Sequence, residues 1–104
     1  MSGIPASFQL AGHTVRVRIV PPSKWTHGAA CEGVWLPSDY LIEIISTAEG
    51  THRQAIFTHE LMHALLDVAG YIDLSRDEEH VERMGQLLMQ ALTTFKARRV
   101  RKEG

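Results

Sequence analysis

Between Thr51 and Gly70, apolar side chains recur at helical spacing on two sides of one segment, and this constrains the fold more than any other feature of the chain. Phe57, Leu61, Ala64 and Val68 fall on one side, whereas Ile56, Met62 and Leu66 fall on the other. A helix lying on a surface needs only one apolar stripe, so two stripes predict a helix buried between layers. Thr51 and Gln54 have the spacing of a capping box, in which hydroxyl and amide satisfy free N–H groups at a helix start. Gly70 is the residue type favoured just past a helix C-terminus.

The covering layers must come from the flanking sequence. Upstream, Phe8 to Leu10 and Val15 to Val20 flank Ala11-Gly12-His13-Thr14. Val15, Val17 and Ile19 alternate with Arg16 and Arg18, the period of a half-buried strand, which predicts a hairpin. After Pro21-Pro22 and a polar stretch through Gly28, a second β region is expected at Glu32 to Leu36. Pro37-Ser38-Asp39 turns the chain into a strand at Tyr40 to Ile45, apolar except at Glu43. Downstream, Ser75 and Glu78 form a second candidate capping box, followed by a stripe of Val81, Met84, Leu87, Leu88, Ala91, Leu92 and Phe95. The expected fold class is α+β: a small antiparallel sheet, then a central helix, then a second helix packed on it.

At 104 residues the chain is one domain, assigned to positions 1–95, with 96–104 as a basic helix end or tail. Lys96, Arg98, Arg99, Arg101 and Lys102 complement the negative end of a helix dipole, so they do not by themselves call for nucleic acid. Eleven basic against twelve acidic residues, with 44% hydrophobic, describe an ordinary soluble domain rather than a polyanion binder. Cys31 is the sole cysteine and cannot form an internal disulfide. The N-terminus shows no basic leader or long apolar run, so a cytoplasmic protein with no membrane span is expected. Trp25 and Trp35 read as packing aromatics, and Cys31 as a small hydrophobe.

The chemistry lies in His59-Glu60-Leu61-Met62-His63. Residues four apart share a helix face, so two imidazoles one turn apart can reach one ion, with Glu60 placed as general base. A catalytic zinc site takes three protein ligands, and Glu78, Glu79, His80 and Glu82 are the candidates for the third. The connection from Gly70 to Ser75 is short and returns the second helix to the first. At about 100° per residue, Glu78 lies nearer the apolar stripe than Glu79, which makes it the first choice. Glu79 is the runner-up if Glu78 instead completes the Ser75 capping box. Glu82, one turn beyond Glu78, could accept a ring N–H from a ligand histidine. Asp67 is a further outer partner for the histidine pair, and Tyr71 and His80 are candidate oxyanion donors. An exposed edge at Tyr40 to Ile45 could hold a peptide by strand addition, with Glu43 as a charge that guards such an edge.

The segments Thr58-His59-Glu60-Leu61-Met62-His63-Ala64-Leu65-Leu66 and Glu78-Glu79-His80-Val81-Glu82-Arg83-Met84 resemble small HExxH zinc metallopeptidases, the minigluzincins and ImmA/IrrE-like proteins frequent in phages and bacteria. The resemblance covers roughly residues 31 to 95 and implies a minimal zincin-like fold. It also implies zinc (Zn2+) held by His59, His63 and Glu78, with Glu60 as catalytic base. The ImmA-like pattern Glu-x-x-Ala-Asn stands here as Glu78-Glu79-His80-Val81-Glu82, with Glu82 in place of the Asn. The expected function is therefore hydrolysis of peptide bonds in a peptide or protein substrate. A non-catalytic, zinc-stapled regulatory or binding protein is the alternative.

Overall fold

The structure is a computed structural model and describes residues 3–98. Its class is α+β, with a four-stranded sheet and three helices. Strands β1 (Ser7–Leu10) and β2 (His13–Val20) form the expected hairpin, antiparallel with Phe8 opposite Val15. Strands β3 (Gly33–Leu36) and β4 (Leu41–Ile45) form a second antiparallel pair, with Trp35 opposite Ile42, joined by the 3-10 turn Pro37–Asp39.

The sheet order is β1-β2-β4-β3, and β2 runs parallel to β4, with Val17 opposite Ile42 and Ile19 opposite Ile44. The sheet is thus mixed rather than wholly antiparallel as expected. Residues 21–32 carry the chain past the position that β4 will fill, so β3 is laid down at the edge and β4 returns between β2 and β3. A parallel pair needs such a long crossover, and local periodicity carries no sign of it. As an interior strand β4 is paired along both edges, and Ile42 and Ile44, on one face, are fully buried.

Helix α1 (Gly50–Val68) packs on the sheet, and helix α3 (Glu78–Thr94) packs on α1. The short helix α2 (Ile72–Arg76) joins them. The central helix is therefore held between two layers, as its two stripes require. Val15, Trp35, Ile42, Ile44, Phe57 and Ala64 form the core, and Phe8 meets Phe57 edge to face at 6.0 Å. The apolar stripe of α3 is only partly used. Val81 and Gly85 are buried, whereas Met84, Leu87 and Phe95 stand 40%, 45% and 75% exposed. The expected stripe is thus wider than the surface α1 offers it.

Two of three expected helix boundaries move. Helix α1 starts one residue earlier than its capping box, with extended Glu49 as N-cap and no side-chain cap bond. Gly50 takes φ +58°, so the turn into the helix is made by glycine rather than by Thr51. Gly70 behaves as expected: at φ +88°, its N–H donates to the Asp67 carbonyl and that of Tyr71 to the Leu66 carbonyl, the paired bonds of a Schellman stop. Ser75 is not a cap but a buried residue of α2. Asp77 caps α3 instead, accepting from the His80 N–H at 3.1 Å. No helix of the described residues is long and apolar enough to cross a membrane. Lys96 and Arg98 follow the end of α3, while Arg99, Arg101 and Lys102 lie outside the described residues.

Candidate metal centre

Helical spacing sets His59 and His63 side by side on α1, ring centroids 5.0 Å apart. Because Asp77 takes the capping role, Glu78 is free to turn back towards them from the first turn of α3. Its two carboxylate oxygens stand 3.1 Å from His59 Nε2 and 3.2 Å from His63 Nε2. His59, His63 and Glu78 form a group that could hold a metal ion, their ligand atoms all within 4.8 Å of one another. Glu79, the runner-up, does not belong to this group.

The opposite nitrogens of both rings are engaged. His59 Nδ1 lies 2.7 Å from Glu82 Oε2, and His63 Nδ1 lies 3.2 Å from Ser75 Oγ, which in turn donates to the His63 carbonyl. With Nδ1–H donated to these oxygens, each ring presents its Nε2 lone pair to the Glu78 carboxylate. Tetrahedral ligands about 2.0–2.1 Å from a shared zinc ion stand roughly 3.3–3.4 Å apart, near the two histidine–Glu78 distances, which run to different Glu78 oxygens, while the full set of ligand atoms lies within 4.8 Å. The donor set, two imidazole nitrogens and one carboxylate oxygen, could hold a metal ion.

Glu60 is buried beside this group, while its neighbours His59 and His63 face an open cleft of about 1220 Å³. Burial pushes its carboxyl above the ordinary 4.5. His59 and His63 pull it back, Glu78 raises it again, and a hydrogen bond from the Trp35 backbone N–H lowers it, leaving it raised. The group is thus a stronger base than an exposed glutamate.

Other expectations fare differently. Asp67 does not reach the histidine pair but accepts from Trp35 Nε1 at 2.8 Å. Tyr71 is 60% exposed, and neither it nor His80 lines the cleft. The strand at Tyr40 to Ile45 is interior, so it has no edge for strand addition. Glu43 instead accepts from Arg18 Nη1 at 3.3 Å and pairs with His27 Nε2 at 2.7 Å. The strand that borders the cleft is β3, the sheet edge beside α1. Cys31 is half-buried, lines the cleft and donates to the Gly33 carbonyl at 3.0 Å.

Three site residues escaped the sequence. By residue type and spacing Ser75 reads as a cap and Trp35 as a packing aromatic, and Gly33 carries no local signal. A Cβ on Gly33 would collide with Ile56 Cγ2 and stand 3.4 Å from Glu60 Cγ, so glycine lets β3 approach α1 at Glu60. Only the strand order shows that β3 borders α1, and no local signal could have found this.

Comparison with known proteins finds no matching family model, no matching curated relative and no matching solved structure. The chemistry of the site therefore rests on its own residues and their spacing.

Proposed function

We propose that this chain is a zinc-dependent metallopeptidase domain in which His59, His63 and Glu78 hold the metal and Glu60 is the general base. The observation that carries this reading is the convergence of both Nε2 atoms on Glu78, with Nδ1 of each ring held from behind. Mixed imidazole and carboxylate ligands that leave an open position suit catalytic zinc. When bound, zinc lowers the pKa of a water and polarises a carbonyl. Glu60 takes the proton from the attacking water and delivers it to the leaving amine. Its burial favours this, since a raised pKa makes the carboxyl a better proton acceptor than an exposed glutamate. The edge of β3 offers backbone groups on which an extended peptide can align beside the site. The resemblance to minigluzincins and ImmA/IrrE-like proteins points the same way and carries the expectation of a bacterial or phage-infected cytoplasm.

A second reading keeps the metal without hydrolysis, because ligands from α1 and α3 would staple the two helices. Glu60 separates the two, since a staple has no use for a buried base. The test is zinc content by elemental analysis of untagged protein, beside a peptide-cleavage screen. About one zinc per chain is expected, lost in His59→Ala and Glu78→Gln and kept in Glu79→Gln and Glu60→Gln. Cleavage should disappear in Glu60→Gln. No zinc in the parent protein, even after refolding with the metal, overturns both readings.

A further inference from the structure

Trp35 on the edge strand touches α1 at two carboxylates seven residues apart. Its backbone N–H donates to Glu60, and its indole Nε1–H donates to Asp67 Oδ2 at 2.8 Å. Seven residues are close to two helical turns, about 10 Å, so both acids lie on the same side of α1. A single bond would leave β3 free to slide or rotate against the helix, whereas two fix both separation and register. The far side of the indole is also backed. Tyr40 meets Trp35 edge to face at 6.3 Å and 72°, and His13 stacks on Tyr40 at 4.3 Å.

Asp67 makes little sense as a helix residue alone. It lies in the last turn of α1, where a negative charge opposes the helix dipole. Packing in the core needs only the Trp35 ring, not its N–H. A locally unfavourable acid paired with a buried indole donor beside the candidate metal site is a pattern of site construction.

We propose that Trp35, anchored by Asp67, is a positioning residue that sets the orientation of the Glu60 carboxylate relative to His59, His63 and Glu78. The catalytic part of this claim rests on the peptidase reading above. The linkage itself can be measured in the metal-free protein, by the amide proton shift of Trp35 at fixed pH. In Asp67→Leu, that resonance should move towards its position in Glu60→Gln. Asp67→Asn, which keeps an acceptor oxygen, should stay near the parent position.

A second readout uses zinc-loaded protein and acetohydroxamic acid, a small zinc chelator that binds as acetohydroxamate when a neighbouring carboxylate takes its hydroxyl proton. Asp67→Leu and Trp35→Phe should keep zinc affinity within about twofold and lose about tenfold in acetohydroxamate affinity. A merely structural role would change zinc and acetohydroxamate binding together. An unchanged Trp35 amide shift in Asp67→Leu, or unchanged acetohydroxamate affinity in both variants, overturns the proposal. Failure of the parent protein to take up zinc overturns the peptidase reading, while the amide shift still decides the role of Asp67.

Discussion

Glu82 Oε2 lies 2.7 Å from His59 Nδ1, one helical turn along α3 from the Glu78 carboxylate that meets the other nitrogen of the same ring. One face of α3 thus supplies both a candidate ligand and the group that orients its partner ligand. Ser75 does for His63 what Glu82 does for His59, but from α2. The two rings are held by different elements, so their outer partners can be removed separately.

Glu82→Gln and Ser75→Ala should each weaken zinc binding without abolishing it. Loss of an outer partner of a ligand histidine typically costs 10–100-fold in metal affinity. Glu82→Gln keeps an acceptor oxygen and should fall near the lower end. Ser75→Ala leaves His63 Nδ1 without its partner in a buried place and should also cost about 1 kcal/mol of stability. Competition with a chromophoric chelator, beside thermal unfolding of the metal-free protein, measures both.

Metal-free Glu60→Gln should be more stable than the parent at pH 7. Burial raises the Glu60 pKa above 4.5 in the folded state, so folding favours the protonated carboxyl. That contribution is fully present below the unfolded-state value and is lost as pH rises through the folded-state value. The amide is neutral throughout and avoids the loss. Thermal unfolding should therefore show a higher Tm for Glu60→Gln at neutral pH, with the gap closing below about pH 4. A parent protein as stable as the variant at pH 7 would contradict the burial argument.

Gly33→Ala should disturb the cleft wall. The new methyl would meet Ile56 Cγ2, the stiff branch of a β-branched helix residue that cannot swing away, so β3 must shift from α1. Overpacking of this kind costs about 1–3 kcal/mol. The double variant Gly33→Ala with Ile56→Ala removes the clashing branch, and urea denaturation should show coupling between the two sites.

Gly85 lies where α3 crosses α1 behind the site, and a Cβ there would stand 3.4 Å from His59 Cα and 3.5 Å from the Thr58 carbonyl. Gly85→Ala therefore fits, and the helix propensity of alanine should raise stability by up to about 1 kcal/mol. Gly85→Leu must push the helices apart, lowering Tm and separating Glu78 from the histidines. Zinc affinity should fall in the leucine variant and hold in the alanine variant.

What the chain determined by itself was local. The four-residue interval of His59 and His63 fixes their shared face through helix geometry alone. The two apolar stripes around them demand a layer on each side, which the sheet and α3 supply. The hairpins and the Gly70 stop follow from residue type and period, because backbone preferences act over a few residues. The angular place of Glu78 on its helix is also readable, whereas only the folded chain gives the capping role to Asp77.

Tertiary structure decided the rest. The parallel pairing of β2 with β4 puts β3, not β4, at the edge beside α1, and a crossover spanning residues 21–32 leaves no periodic trace. Trp35 and Asp67 are 32 positions apart, and Ser75 and His63 are 12 apart. Their contacts depend on strand order and on the turn into α2. A side chain's own sequence neighbourhood sets which way it faces, but only the packed fold sets what it faces.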